Sequence, residues 1–158
     1  MCGFVGFYSK DIKDENVIKE MNSQIIHRGP DSDGYYFDKG INFGFRRLSI
    51  IDLHEGSQPI LNENNDVAII FNGEIYNYQE IKDDLLEKGY KFKTNTDTEV
   101  ILHGYEEYGE EGILSKLRGM FAFTIWDSKK EKLFGARDHF GIKPYYYTMI
   151  DGDFVFGS

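Results

Sequence analysis

MFAFTIWDSKKEKLFGARDHFGIKPYYYTMIDGDFVF, residues 120–156, carries the reading that decides the fold class. Four apolar-aromatic runs, 120–126, 133–137, 145–150 and 153–156, alternate with short polar breaks. Clustered β-branched and aromatic residues in runs of this kind read as strands. Asp151-Gly152 between the last two is a hairpin signal. Working outward, Gly3–Tyr8 reads as a strand directly after Cys2, and short strands follow around 34–37 and 41–48. The apolar run 67–71 predicts a buried central strand. Helices are grouped between these runs. Asp14 can cap one running to about Ile26, with Val17, Ile18, Met21 and Ile25 on one face; Arg28-Gly29-Pro30-Asp31 ends it. Asn77 and Glu80 resemble a capping box, and the helix behind them is expected to bury Ile81, Leu85 and Leu86 and stop at Gly89. A third helix starts near Thr98 and ends by Gly109. Strands in runs with helices grouped between them predict an α+β fold with antiparallel sheets, not a doubly wound parallel sheet.

The chain has 158 residues, which suits one domain. At 41% hydrophobic and 28% charged, it is neither disordered nor collagen-like. No apolar run is long enough to span a bilayer, and no basic-then-apolar leader opens the sequence. Eighteen Lys and Arg against 27 Asp and Glu leave a net charge of −9, which disfavours nucleic acid or an anionic membrane as partner. One cysteine excludes an intrachain disulfide and a Cys-rich zinc cluster. His27, His54, His103 and His139 have no metal-ligand spacing, so no metal site is expected. A reducing, cytoplasmic setting follows as the expectation. The strand-like run into Phe156-Gly157-Ser158 ends without a cap; a natural C-terminus and a boundary inside a longer protein both fit it.

Cys2 is the sharpest chemical feature. It is the one thiol and follows the initiator Met. Removal of Met1 would leave a free α-amine beside the thiol. With an ordinary pKa of ~7.7–8.0, roughly a tenth to a sixth of that amine is free base at pH 7. It can take the thiol's proton, a nucleophile with a built-in base that needs no histidine. The alternative is a small incidental hydrophobe. Asn72-Gly73 reads locally as a hairpin turn. The same pair offers an exposed amide N–H and a carboxamide NH2, which together suit an oxyanion. Arg47, at a strand end, suits a carboxylate through two parallel hydrogen bonds, or an ordinary surface salt bridge. Thr96-Asp97-Thr98-Glu99 reads as a helix N-terminus with acidic support, or leaves Asp97 for a cationic ligand group. Bland capping accounts for His27-Arg28, and 137–144 looks like a turn between strands.

Together, Met1-Cys2-Gly3, His27-Arg28-Gly29-Pro30-Asp31, Arg47-Leu48-Ser49-Ile50 and Asn72-Gly73-Glu74-Ile75-Tyr76-Asn77 form an ordered series. Asp97-Thr98-Glu99, Gly119-Met120-Phe121-Ala122-Phe123 and Arg137-Asp138…Gly141-Ile142-Lys143-Pro144 continue it. The series resembles the N-terminal glutaminase domain of glutamine-hydrolysing asparagine synthetases, class II glutamine amidotransferases of the N-terminal-nucleophile hydrolase superfamily. The resemblance spans essentially the whole chain. It implies a four-layer α/β/β/α sandwich of two antiparallel sheets. It implies Cys2 as nucleophile, Asn72 and Gly73 as oxyanion hole, and Arg47 on the α-carboxylate of L-glutamine. Asp97 with Glu74 would take the α-ammonium, and Leu48 and Ile50 would line the pocket. It implies no cofactor or metal for this domain. The partner would be a C-terminal synthetase domain that uses ATP and Mg to turn aspartate into asparagine, and a homodimer stays open. The pyrophosphate loop of that domain, Ser-Gly-Gly-x-Asp-Ser, does not occur in residues 1–158. Two alternatives remain: a glutaminase domain serving another acceptor, such as a surface glycan, and a catalytically silent binding module on the same fold.

Overall fold

The apolar-aromatic runs pair as antiparallel strands in two sheets. The computed structural model describes residues 2–11, 13–48 and 57–158. The strands are β1 (Gly3–Tyr8), β2 (Ser32–Asp38), β3 (Ile41–Arg47), β4 (Ile60–Leu61), β5 (Val67–Ile75), β6 (Gly119–Asp127), β7 (Lys132–Arg137), β8 (Tyr146–Ile150) and β9 (Asp153–Gly157). The helices are α1 (Glu15–Gln24), α2 (Tyr78–Glu87) and α3 (Asp97–Lys116), with a short 3-10 turn at Ile26–Arg28. One sheet has the order β2-β3-β1-β9-β8 and the other β4-β5-β6-β7. Asp151 and Gly152, both at positive φ, make the tight turn that brings Ile150 opposite Asp153.

Alternation along β5 and β6 sends their two faces into two different cores. Phe4, Phe43, Phe45 and Phe156 of the first sheet meet Ala68, Ile70, Ala122 and Trp126 of the second. Ile69, Phe71, Phe123 and Ile125 turn the other way and pack with Ile81 and Leu85 of α2 and Val100, Ile101 and Tyr105 of α3. Helix α1 lies on the outer face of β1 and β3. The result is the expected α/β/β/α sandwich. The Trp126 indole N–H crosses between the sheets to Asp38 at 2.7 Å. Gly6 leaves room for the Phe156 ring, which a Cβ there would strike.

Several local expectations change. Asp14 does cap α1, accepting from the Asn16 N–H at 2.9 Å. Its inner face, however, is Ile18, Met21, Asn22 and Ile25, while Val17 is exposed. Asn22 replaces an apolar residue there because its carboxamide donates to the Phe45 carbonyl. Leu86 is also exposed; Ile81 and Leu85 alone anchor α2 from that set. Asn77 makes no capping bond to α2. It donates to the Lys116 carbonyl and accepts from the Arg118 N–H, tying the end of α3 to the start of α2. Helix α3 does not end at Gly109: it kinks there, at φ 70°, and continues to Lys116. Asn72-Gly73 is no hairpin turn but the interior of β5, with Asn72 opposite Ala122 and Gly73 opposite Phe121.

A buried charge cluster fixes the approach to α3. Both Glu99 carboxylate oxygens accept backbone N–H bonds, from Lys93 at 2.8 Å and Thr94 at 2.7 Å. His103, one turn on, bonds Glu106 through Nδ1 at 2.9 Å; its Nε2 faces Glu99 at 3.5 Å as an ion pair without a hydrogen bond. Burial opposes charge on His103, but Glu106 and then Glu99 overcome it and lift its pKa to about 9. Burial likewise opposes charge on Glu99, and His103 with the loop N–H donors holds it down at about 2. A raised histidine pKa gives stability that is complete below the ordinary value of about 6.5 and fades as pH rises through about 9. His103→Gln should therefore flatten the loss of stability between pH 6.5 and 9, a loss of up to about 3 kcal/mol in the parent. Urea unfolding midpoints across that range test it; an unchanged slope in the variant would assign the titration to another group.

Candidate active site

Strand pairing gathers the candidate residues at one end of the sandwich. Strand β1 pairs with β3 so that Gly3 lies opposite Arg46. Cys2, just before β1, follows Phe4 by alternation toward the space between the sheets, and packs half-buried against the inter-sheet core. Its thiol points to the Leu48 carbonyl, at 3.9 Å. The two adjacent arginines separate by the same alternation. Arg46 faces α1, donating to the Asn22 carbonyl at 3.1 Å and lying 3.7 Å from Asp33. Arg47 continues the inward row of Phe43 and Phe45, and its carbonyl accepts from the Asp31 N–H at 3.1 Å. Ile50 lies outside the described residues.

The second sheet supplies the other wall. Asn72 and Glu74 share the face of Ala68 and Ile70, toward the first sheet. Asn72 is 1% exposed. With its Nδ2 toward Cys2, its carboxamide donates to the Cys2 carbonyl at 3.1 Å. Its oxygen then accepts from the Ser158 hydroxyl at 3.0 Å and the Arg28 guanidinium at 3.3 Å. Gly73 is needed for close strand approach: a Cβ there would strike the Met120 carbonyl and the Phe121 Cα. Asp97 opens α3 and accepts from the Ile75 N–H at 2.9 Å, beside Glu74. Burial raises its pKa; the Ile75 N–H works against this, and the Glu74 charge adds to it. Two carboxylates repelling each other at a partly buried spot favour a cation between them.

Three further residues join the site that local reading left as a helix cap or a turn. Arg28 lies along Gly3 and donates to the Cys2 carbonyl at 3.3 Å. Asp138 is a buried carboxylate accepting four backbone N–H bonds, from Phe121, Phe140, Ile142 and Lys143, at 2.9–3.2 Å. Burial opposes its charge, and those donors hold its pKa below the ordinary range. It thereby shapes the 138–143 loop and places Lys143, which is 2% exposed. Burial first, and then Arg28, depress the Lys143 pKa, while Cys2, Asp138 and Glu74 work the other way. The one advance sign of these roles was their place in the ordered motifs, since each local spacing fits a plain cap or turn. Among the described residues no cluster of histidine, cysteine and carboxylate side chains could hold a metal ion.

A family model described as the glutamine amidotransferase domain matches residues 1–158. Asparagine synthetase [glutamine-hydrolyzing] 1 of Bacillus subtilis is 55% identical over all of this chain and 26% of its own length. Asparagine synthetase [glutamine-hydrolyzing] 2 of the same organism is 44% identical over all of this chain and 21% of its own length. The chain thus spans about a quarter of these relatives. Among solved structures, the B. subtilis glutamine phosphoribosylpyrophosphate amidotransferase complexed with ADP and GMP superposes with a TM-score of 0.83 at 23% identity. That match covers 99% of this chain and 41% of the other. The allosteric regulatory enzyme of purine biosynthesis gives 0.86 at 22% identity, over 99% and 42%. Likeness at that identity supports the fold alone. The whole-length family match and the close relatives go further: the chain belongs to the glutamine amidotransferase domain family.

Proposed function

We propose that this chain hydrolyses the side-chain amide of L-glutamine, with Cys2 as nucleophile. The observation that carries the reading is the buried Asn72 carboxamide held 3.1 Å from the carbonyl of Cys2 itself. Loss of Met1 frees the Cys2 α-amine, which accepts the thiol proton. The sulfur attacks the amide carbon, and the oxygen takes up negative charge. Asn72 Nδ2 and the Gly73 N–H meet that oxyanion. The carbon–nitrogen bond breaks as the amine returns the proton to nitrogen, and ammonia leaves. Water, deprotonated by the same amine, then cleaves the thioester to glutamate and regenerates the thiol. Arg47 holds the α-carboxylate, Asp97 with Glu74 holds the α-ammonium, and Leu48 presents its carbonyl beside the thiol. Glutamine hydrolysis so built needs no metal or cofactor.

The names and lengths of the relatives support a second half to the function. In that reading the ammonia passes to a synthetase domain that uses ATP and Mg to convert aspartate to asparagine. Exposed apolar surface favours a covering domain: Phe140 is 90% exposed, and Tyr146, Tyr147, Met149 and Ile150 stand open along β8. No helix of the described residues is long and apolar enough to cross a membrane. We place the chain in the cytoplasm by its lack of disulfides.

Cys2→Ala should reduce glutamate release from glutamine to background while leaving the thermal midpoint near that of the parent. Ordinary turnover in the purified variant would reject Cys2 as nucleophile. Intact mass should show Met1 absent from the active protein. For recognition, Asp97→Asn should raise the KM for glutamine at least about tenfold. It should affect an analogue lacking the α-amine far less, because an unpaired buried partner costs most where the lost group was charged. Since burial raises the Asp97 pKa, the ammonium contact should fail earlier on acidification than an ordinary carboxylate would allow. The acid-side rise in KM should therefore vanish in Asp97→Asn. An equal loss for both ligands would move the ammonium site elsewhere.

A further inference from the structure

We propose that Gln58 is a positioning residue for the oxyanion donors: its carboxamide holds the open edge of β5 just ahead of Asn72-Gly73 and ties that edge to the start of α3 beside Asp97. The inference rests on the reading of Asn72 and Gly73 as oxyanion donors, and deepens it. Strand β4 covers β5 at Ala68 and Ile69, through Leu61 and Ile60. Beyond Ile69, that edge of β5 has no strand beside it among the described residues. Phe71 and Ile75 are nonetheless buried, so their backbone groups need partners inside the protein. Side chains take the place of the missing strand. The Phe71 N–H donates to Gln58 Oε1 at 2.6 Å, and the Ile75 N–H donates to Asp97 at 2.9 Å.

The Gly73 N–H lies between these two anchors. Successive residues of a strand turn their backbone groups to opposite edges, so 71, 73 and 75 share one edge. Phe121, opposite Gly73 on β6, directs both its N–H and its carbonyl to Asp138, so neither is turned toward Gly73. The Gly73 N–H therefore faces the open edge, roughly 7 Å along the strand from each anchored N–H. Gln58 is suited to fix that edge. A backbone N–H can only donate, so Oε1 faces Phe71 and Nε2 is left to donate to the Thr98 hydroxyl, at 3.4 Å. The reverse orientation would set donor against donor at Phe71. Gln58 and Thr98 are both buried, so bulk water does not stand in for either. The Gln58 backbone is seated on the first sheet: a Cβ at Gly34 of β2 would strike its carbonyl. One residue thus joins the first sheet, the strand of Asn72 and Gly73, and the helix start that carries Asp97.

The experiment compares Gln58→Met, Thr98→Val, Thr98→Ser, the double variant Gln58→Met with Thr98→Val, and Asn72→Ala, in the full chain with Met1 removed. Three readouts are used: kcat and KM for glutamine, inhibition by the γ-aldehyde analogue of glutamine, and inhibition by glutamate. The aldehyde carbon bonds the Cys2 sulfur and leaves an oxygen where the oxyanion forms, so it reports donor alignment; glutamate reports ground-state binding. Removal of an oxyanion donor outright typically lowers kcat ~10²–10³-fold, so displacing one should cost less. Gln58→Met should lower kcat about 5–30-fold and weaken the aldehyde by a similar factor, with KM and glutamate inhibition within about twofold. Thr98→Val should lower kcat about 2–5-fold, and Thr98→Ser, which keeps the hydroxyl, should restore it. The double variant should be no worse than Gln58→Met, since both changes act through one contact. Parent kcat in Gln58→Met beside a large loss in Asn72→Ala would overturn the positioning role and leave the oxyanion reading standing. No loss in either variant would overturn both. Equal weakening of glutamate and aldehyde would reduce Gln58 to a structural contact, and multiplied losses in the double variant would break the tie to α3; either overturns the proposal. Should Gln58→Met not fold, Thr98→Val decides: parent kcat there overturns the proposal, and a loss rescued by Thr98→Ser supports it.

Discussion

Strand β1 is hydrogen-bonded on both sides, to β3 and to β9, in the middle of a five-stranded sheet. The positions of Cys2, Arg47, Leu48 and Ser158 follow from that placement. A residue just ahead of an edge strand could swing with a frayed terminus. Cys2 instead precedes a strand whose two neighbours fix its direction and its register. The β3 side brings Arg46, Arg47 and Leu48 alongside, because Gly3 pairs with Arg46. The β9 side brings Ser158 alongside, because Gly157 pairs with Val5. A one-residue slip in either ladder would turn Phe4 out of the inter-sheet core and Cys2 away from Asn72. The buried Phe4, Phe43, Phe45 and Phe156 oppose such a slip, since all of them would lose their places together.

The runs of apolar and aromatic residues read every strand but the two-residue β4 at Ile60–Leu61, and stop β5 at Phe71, four residues short of its end at Ile75; the ordered motifs carry the family. What local reading misses is where tertiary pairing overrides a local preference. Asn-Gly is a strong turn signal. At Asn72-Gly73 it loses to the β5–β6 ladder, which runs unbroken from Val67 opposite Asp127 to Ile75 opposite Gly119. Glycines on both strands permit this. A Cβ at Gly73 would strike the Met120 carbonyl, and one at Gly119 would strike the Glu74 carbonyl. Asn77 loses its capping role in the same way: two backbone groups at the end of α3 were left to satisfy, and its side chain reaches both.

Exposure of Val17 and Leu86 has a different origin. Helical spacing states which residues share a stripe, but not how wide the covered stripe is. Arg28 and Lys143 were unreadable for a third reason. Arg28 meets the Cys2 carbonyl across 26 residues of chain, and Lys143 is placed by the loop at 138–143, shaped by Asp138, whose four backbone donors come from Phe121 and three loop residues. Nothing in the local spacing of Arg137-Asp138 distinguishes such a carboxylate from an ordinary turn aspartate.

On the proposed mechanism, the two sheets divide the chemistry. The first carries the nucleophile and the group that holds the substrate carboxylate. The second, with the start of α3, carries the oxyanion donors and the groups that hold the ammonium. Attack geometry is then a matter of how the sheets sit on one another, and reacting groups need alignment to within a fraction of an ångström. That alignment is held by the buried layer of aromatic and aliphatic side chains between the sheets, and close-packed interiors resist small shifts. Polar ties cross the layer at both levels, from Trp126 to Asp38 and from Asn72 to Ser158 and Cys2. A void opened in the layer, at Phe45 or Ile70 for example, would thus act on the reaction and not on stability alone. It would let the oxyanion donors drift relative to the sulfur while each sheet kept its own ladder intact.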